Sequence, residues 1–513
     1  MKHRLSTFFL PDVAQRARCV GELPLKDPLV TGLAYDSRAV LPGNCYFALP
    51  GLHVDGHRFV ADAITHGAAL IVHQAELSAN IREQVACIQV ADSRVAMSPF
   101  ADAFYGSPSK RLTVIGVTGT EGKSTTVYLI FQLLRLMGKK AGFISTVQYS
   151  DGGDEQWNPQ HQTTPEATAI HEHLACMRDN GAEYAMIEAS SHGLSERTNR
   201  LGDVAFDVGV MTNVTHEHLE FHGTWEQYRF DKANLFRALD RAGEQPCFGV
   251  VNADDKSAVY FAQATKHPTR CFSVRGADAD LSVKKIESRA GGNRYEVCIR
   301  KTGEKVLIED LLPGAFNVGN VLAALLVVSD TVDAPVSDIA PLVPSCKPVR
   351  GRMTAIQKGQ PFEVVIDYAH TPSSFEAIFP PLRARLSAKG GAIIALFGSG
   401  GERDTRKRSE QGRIAAQWSD IVILTDEDPR GEVPMAILED IAQGIPAGKR
   451  GEELFLIPDR PTAIRKAFSL AHNGDMVLLL GKGHENSIIY ADRAVPYDEC
   501  AEAEKALEEL GFF

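Results

Sequence analysis

Residues 113–126 read T-V-I-G-V-T-G-T-E-G-K-S-T-T, and the fold follows from them. The first residues are β-branched and apolar, as in a buried strand, and residues 127–137 continue with apolar side chains at helical spacing. Strand, glycine loop and helix in that order form a phosphate cradle. Glycine opens backbone conformations closed to other residues, so N–H groups near Gly116, Gly119 and Gly122 can converge on phosphate oxygens at a helix N-terminus. Lys123 supplies a point charge for the outer phosphates, and the Ser124 hydroxyl is placed to hold Mg²⁺. The spacing departs from the usual pattern: Val117 stands where a glycine is expected, and Gly116 lies one residue earlier. A glycine turn of purely structural use does not account for the strand, Gly-Lys-Ser and the helix occurring together.

Outward from this loop, apolar strands at residues 113–117, 184–189, 208–212 and 248–252 alternate with helical segments. That alternation predicts a mostly parallel sheet with helices on both faces and ligands at the carboxyl ends of its strands. Residues 278–308 alternate differently and add antiparallel strands. Residues 1–108 mix short strands and helices, and Ser107-Pro108-Ser109 ends that domain. The proline-rich stretch at residues 341–348 reads as a second linker. Beyond it, strand candidates at 362–366, 392–397, 421–424 and 476–480 alternate with helices, giving a second α/β unit. Three domains are expected, at 1–108, 109–343 and 344–513, which suits a chain of 513 residues.

The net charge of −11 argues against a general nucleic-acid binder. The apolar run near the N-terminus is cut short by Pro11 and Asp12, and no stretch is long enough to span a bilayer, so a cytoplasmic protein without a membrane partner is expected. The nine cysteines include no C-x-x-C pair and read as reduced thiols.

Chemistry-bearing residues collect after the strands. Glu188 ends one strand and opens E-A-S-S-H-G-L; the next is followed by T-N-V-T-H-E-H-L-E-F-H-G, with His216, His218 and His222. A carboxylate and imidazoles beside a phosphate loop suit a divalent cation. Lys232 lies on an amphipathic helix at residues 225–236, where spacing alone makes it a solvated lysine.

The phosphate loop, T-T-P-E at 163–166, E-A-S-S-H-G-L, the His-rich segment and D-Y-A-H-T-P at 367–372 together resemble the Mur ligases, ATP-dependent amide-bond-forming enzymes of peptidoglycan synthesis. Y-D-S-R-x-V-x-P-G at 35–43, F-D-K-A-N-L-F at 230–236, D-P-R at 428–430 and G-K-G-H-E at 481–485 resemble the branch that adds the third residue of the stem peptide. The resemblance implies three domains: a small N-terminal α/β domain, a central P-loop ATPase-type parallel sheet and a C-terminal Rossmann-like α/β domain, with the last closing on the others. A monomer is expected.

The resemblance also implies roles. Gly119, Thr120, Glu121, Gly122, Lys123, Ser124 and Thr125 would bind the ATP phosphates, and Asn317, Arg352, Asp367 and His370 the rest of the nucleotide. Ser124 and Glu188 would hold one Mg²⁺; His218 and a carbamylated Lys232, turned from cation to anion, would serve a second. Tyr35, Ser37 and the loop Leu52, His53 and Val54 would hold the uridine end, while Gln162, Thr163, Thr164, Ser190 and Arg200 would hold the muramoyl-peptide. Lys123, Lys232 and His218 would be catalytic. Against the family pattern, Glu121 replaces asparagine, Ser124 threonine and Glu217 aspartate.

For the incoming amino acid, the resemblance implies Arg403, Asp428, Arg430, Gly481 and Glu485. Members that add meso-diaminopimelate carry asparagine at the position of Asp428. A carboxylate there attracts a side-chain ammonium and leans towards lysine or ornithine; Arg430 leans back towards diaminopimelate. The implied reaction joins that amine to UDP-N-acetylmuramoyl-L-alanyl-D-glutamate through an acyl phosphate. The rival readings are another Mur ligase step, a folylpolyglutamate synthetase, which has no need of Asp36-Ser37-Arg38, and a nucleotide-binding protein without catalysis.

Overall fold

The computed structural model describes residues 1–21, 23–51, 54–158, 162–215, 219–241, 247–289, 291–387, 390–446 and 452–513. Two compact units account for these residues, the first built from 1–123, 130–214 and 219–270, the second from 124–129 and 271–513.

The first unit begins with a four-stranded parallel sheet in the order Gly32–Ala34, Asn44–Phe47, Leu70–His73, Ala86–Gln89. Alternate side chains face opposite sides of a strand. Cys45, Phe47, Leu70, Val72 and Ile88 therefore join Phe8, Phe9, Phe100 and Phe104 in one core, while Tyr46 and Ile71 join Val60 and Ala63 in another. The helix Ser93–Phe104 that covers the first core starts at Asp92, whose carboxylate accepts the N–H groups of Arg94 (2.9 Å) and Val95 (3.1 Å).

The same unit holds the central parallel strands, in the order Ala141–Ile144, Tyr184–Glu188, Thr113–Thr118, Val208–Met211, Phe248–Asn252. Their near-complete burial is that of a sheet covered on both faces. Thr113–Thr118 comes first in sequence but lies in the middle. Successive strands go to one side of it and then to the other, so the strand order reverses at its carboxyl end, where open α/β sheets bind ligands. The helix Lys123–Leu136 follows directly and begins four residues before the start that apolar spacing alone marks. Asp207 is buried beside this strand and accepts the Val114 N–H at 2.8 Å; burial raises its pKa to about 6.

In the second unit, Leu281–Arg289, Gly292–Ile299 and Lys305–Asp310 form the antiparallel meander expected from their alternation. The helix Phe316–Val332 is apolar on nearly every side and buried along most of its length. Among the described residues no single helix is long and apolar enough to cross a membrane; this helix with residues 336–345 meets the length and composition test only as a pair bent by 115°. Part of the proline-rich stretch forms the 3₁₀ helix Ala340–Ser345, with Pro341 in its first turn and Pro344 inside it.

The last sheet has six strands in the order Thr354–Ile356, Glu363–Asp367, Met476–Leu480, Ile393–Phe397, Ile421–Leu424, Leu454–Leu456. All neighbours are parallel except the first pair. Period two again divides the core: Val365, Ala395, Phe397, Val422, Leu424 and Leu478 face one helical layer, and Val364, Ile366, Ile394, Leu396, Ile423 and Leu479 the other. The sequence reading missed Thr354–Ile356, Leu454–Leu456 and the hairpin of Ser487–Ile489 with Ala494–Pro496, all strands of three residues, too short for a periodic signal.

A fully buried ion pair pins the carboxyl ends of two of these strands. Arg460 donates to Glu499 Oε1 (2.6 Å) and Oε2 (2.8 Å), and its remaining donors reach the carbonyls of Asp426 (3.1 Å) and Leu480 (2.8 Å). Removing one member leaves an uncompensated buried charge. Arg460→Met is expected to destabilise the protein by about 3–5 kcal/mol in urea unfolding, and Arg460→Met with Glu499→Met by far less. A loss under about 1 kcal/mol for the single variant would mean that water reaches the pair.

Candidate functional site

The phosphate loop of the first unit hangs from the end of the neighbouring strand. Thr120 donates its N–H to the Asn213 carbonyl (2.8 Å), and Glu121 donates its N–H to Asn213 Oδ1 (2.9 Å). The Glu121 carbonyl accepts from Thr212 Oγ1 (2.6 Å) and Asn213 Nδ2 (3.0 Å). Gly119 has φ +154°, and a Cβ there would lie 1.9 Å from Thr212 Oγ1, so only glycine permits this approach. Gly122 is left-handed at φ +85° and turns the chain into the helix that Lys123 starts. Lys123 Nζ folds back to the Thr120 carbonyl at 2.7 Å. Thr125 and Ser124 occupy the helix's first turn, and Ser124 is buried.

Lys232 is not the solvated lysine that helical spacing suggests. It is 2% exposed, its Nζ donates to the Gly119 carbonyl at 2.6 Å, and it lies 4.5 Å from the centre of the Tyr228 ring. One residue before it, buried Asp231 accepts from Gln227 Nε2 (3.0 Å) and pairs with His222 Nδ1 (2.7 Å), whose Nε2 meets Ser191 Oγ at 3.0 Å. This network ties the Lys232 helix to the E-A-S-S-H-G-L segment, and it spends both nitrogens of His222. His216 and His218 lie outside the described residues.

Glu188 is buried at its strand end, with Oε2 accepting the Thr146 N–H at 2.8 Å. The Thr146 hydroxyl is itself buried without a partner among the described residues. A carboxylate and a hydroxyl are hard oxygen donors, so Glu188 and Ser124 are of the type that fits Mg²⁺. Lys232, as an unmodified ammonium, is a donor and not a metal ligand; it fits that role only when carbamylated. Among the described residues no three His, Cys, Asp or Glu side chains cluster as a metal site.

Towards the N-terminal sheet, Tyr35, Ser37 and Val54 line a cavity of about 640 Å³ with Tyr46, Phe59 and His66. Leu52 and His53 lie outside the described residues. Gln162 is exposed and Thr163 half-buried. Thr164 Oγ1 donates to the Glu188 carbonyl (2.8 Å) and accepts the Ser190 N–H (2.9 Å), and Ser190 Oγ caps the helix Ser191–Leu194. Arg200 donates to the Thr164 carbonyl (2.8 Å) and to Glu166 Oε1 (2.8 Å), which Arg94 also reaches (2.9 Å). The guanidinium of Arg200 is thus held by the protein, and buried Glu166, which residue type alone did not single out, is the acid that holds it.

In the second unit, Asn317 bridges the Pro313 carbonyl (2.8 Å) and Asn320 (2.9 Å), and Asn320 accepts from Thr126 of the phosphate-loop helix (3.2 Å). Asp367 accepts the N–H groups of Met353 and Ala369, each at 2.8 Å, and burial raises its pKa against the charge of Arg352. The Arg352 guanidinium lies 4.7 Å from the centre of the Tyr368 ring, whose other neighbours are His370 and His484.

Arg403 is exposed and has no polar partner among the described residues. Asp428, Arg430, Gly481 and Glu485 do come together, around a residue the motif reading passed over. Lys482 is fully buried and donates to Asp428 Oδ1 (2.9 Å) and Glu485 Oε2 (2.5 Å). Asp428 Oδ1 also accepts the Ile489 N–H (3.0 Å), and its Oδ2 lies 3.9 Å from Arg430 Nη2. Arg430 holds a left-handed φ of +53°, a strained conformation for a side-chain-bearing residue, fixed by its N–H on the Ile489 carbonyl (2.9 Å). Burial raises the pKa of Glu427, whose Oε2 is unpartnered among the described residues. Gly481, at φ +98°, leaves that oxygen room, since a Cβ there would come within 2.7 Å of it.

Fold and loop together define a nucleotide-dependent α/β enzyme. Family models match in three places: the Mur ligase family catalytic domain at residues 29–105, the Mur ligase middle domain at 117–328, and the Mur ligase glutamate ligase domain at 351–483. The UDP-N-acetylmuramyl-tripeptide synthetase of Treponema denticola is 53% identical, over 93% of this chain and 94% of the relative. The UDP-N-acetylmuramoyl-L-alanyl-D-glutamate–2,6-diaminopimelate ligase of Geobacillus kaustophilus is 38% identical, over 94% and 96%. A solved structure of a ligase of that same description aligns with a TM-score of 0.60 at 28% identity, over 94% of this chain and 96% of the other. The chain belongs to the Mur ligase family, in its UDP-N-acetylmuramyl-tripeptide synthetase branch, and is an ATP-dependent acid–amino-acid ligase of peptidoglycan synthesis.

Because the Asn213 side chain holds the loop by two hydrogen bonds, Asn213→Ala is expected to raise the Kd for ADP about 5- to 20-fold in calorimetric titration, with little change in thermal stability. An unchanged Kd would mean that the loop keeps its shape without that side chain.

Proposed function

We propose that this ligase joins a basic diamino acid, lysine or ornithine, to the free D-glutamyl carboxylate of UDP-N-acetylmuramoyl-L-alanyl-D-glutamate. In the first step that carboxylate attacks the γ-phosphorus of ATP, the bond to the β–γ bridging oxygen breaks, and ADP leaves an acyl phosphate behind. In the second the amine nitrogen adds to the acyl carbon, the tetrahedral adduct expels inorganic phosphate, and the nitrogen loses its proton. Phosphoryl transfer is accelerated chiefly by positioning and charge. The backbone N–H groups of residues 119–125 orient the triphosphate, and Lys123, released from the Thr120 carbonyl, meets the charge on its outer oxygens. Ser124 and Glu188 would hold Mg²⁺, which would supply further charge neutralisation. Carbamylation of Lys232, with His218, would provide the second cation site. The cavity beside Tyr35, Ser37 and Val54 takes the uridine end. The enzyme would work in the cytoplasm, where its nucleotide substrates are made.

The choice of amino acid rests on one observation: the cation that a distal carboxylate would need, Arg430, already faces Asp428 Oδ2 at 3.9 Å. A second carboxylate brought to that place meets a charge already countered and a like charge beside it. A side-chain ammonium meets an acceptor. Arg403, exposed and without a polar partner among the described residues, is free to meet the α-carboxylate.

With Mg·ATP and UDP-N-acetylmuramoyl-L-alanyl-D-glutamate, phosphate release is expected to be at least about tenfold faster with lysine or ornithine than with meso-diaminopimelate at subsaturating concentration, a difference of about 1.4 kcal/mol in transition-state binding. Preference for diaminopimelate would instead assign the pocket to Arg430.

A further inference from the structure

We infer that Lys482 is a positioning residue of the amino-acid subsite: its buried ammonium fixes the carboxylates of Asp428 and Glu485 so that Asp428 Oδ2 alone remains to accept the side-chain ammonium of the incoming diamino acid. The inference rests on the ligase reading above and adds to it a residue that contacts no substrate.

Three observations carry it. Lys482 is fully buried, yet it has no purely structural carboxylate of its own; both of its acids come from segments that bear the subsite, residues 426–430 and 481–485. Its two bonds and the Ile489 N–H fall on one oxygen of each acid, Asp428 Oδ1 and Glu485 Oε2, so that the rotation of both carboxylates is set. The second oxygen of Glu485 is reached by the Tyr368 hydroxyl at 3.2 Å. Asp428 Oδ2 is thereby the one oxygen of the pair with no hydrogen-bond partner among the described residues, and only Arg430, beyond hydrogen-bond distance, is near it.

A single ammonium between two acids has a second consequence. Without Lys482, two carboxylates and buried Glu427 would lie together with Arg430 near Asp428 and Lys407 and Arg460 acting on Glu427, none of them hydrogen-bonded to Asp428 or Glu485, and those two acids would turn apart or share a proton. Either change removes the acceptor from its place. Nucleotide binding uses other residues and is not affected.

The test compares Lys482→Met and Lys482→Arg with the unaltered full-length enzyme, measuring kcat and the KM of each of the three substrates by phosphate release. Lys482→Met is expected to raise the KM of the preferred diamino acid at least tenfold while the KM values of ATP and the nucleotide-peptide stay within twofold, and Lys482→Arg, which keeps the charge, to restore part of the loss. Should Lys482→Met fail to fold, Lys482→Gln, which keeps hydrogen-bond donors without the charge, is expected to show the same selective rise. A folded variant in which the amino-acid KM is unchanged, or in which all three KM values rise together, overturns the inference. Absence of turnover in the unaltered enzyme with every diamino acid overturns the ligase reading and this inference with it, which separates the two failures.

Discussion

The hydrogen bonds that suspend the phosphate loop from Thr212 and Asn213 are the constraint on which the first unit depends. A glycine loop is free by composition, and ordering it without a partner would spend the flexibility its glycines provide. Here the Thr120 N–H, the Glu121 N–H and the Glu121 carbonyl are all engaged by the end of the adjacent strand. The central place of Thr113–Thr118 in the sheet makes this possible, because Val208–Met211 lies directly beside it and carries Thr212 and Asn213 to the loop. The loop's shape thus depends on the end of the neighbouring strand as well as on its own glycines.

Buried lysines extend the same principle. Lys232 reaches the Gly119 carbonyl from a helix far along the chain, and Lys482 holds two acids from separate loops of the last sheet. A buried ammonium is unfavourable unless its donors are satisfied, so each lysine tolerates little displacement of its partners. Arg460 and Glu499, beneath the strand ends that carry residues 426–430 and 481–485, do this in pure form, with both side chains inaccessible to solvent. Precise placement of charged groups is what phosphoryl and acyl transfer require, and burial is how this chain obtains it.

Much of this was legible in the sequence. Alternation of apolar strands and helices gave the parallel sheets, since period two and period 3.6 are local signals, and Gly-Lys-Ser after a strand identified the nucleotide loop. What was not legible depended on distant partners. The helix of Lys232 is amphipathic, and spacing put that lysine in water; its burial comes from the Gly119 carbonyl, more than a hundred residues away. Residue type shows that Asp428 can attract an ammonium, but nothing local reveals that Lys482 takes one of its oxygens. His222 stood among three histidines as a metal candidate, yet Asp231 and Ser191 hold both of its nitrogens. The proline-rich stretch carries the short helix Ala340–Ser345, which was not legible because proline signals a break in α-helix but fits a 3₁₀ turn.

In the proposed reaction, ATP activates the D-glutamyl carboxylate as an acyl phosphate. The most direct measurement carries ¹⁸O in that carboxylate through a single turnover with Mg·ATP and the diamino acid, followed by mass spectrometry of the released phosphate and nucleotide. One ¹⁸O atom is expected in inorganic phosphate and none in ADP. Phosphate free of label, or label appearing in AMP, would contradict the proposed reaction.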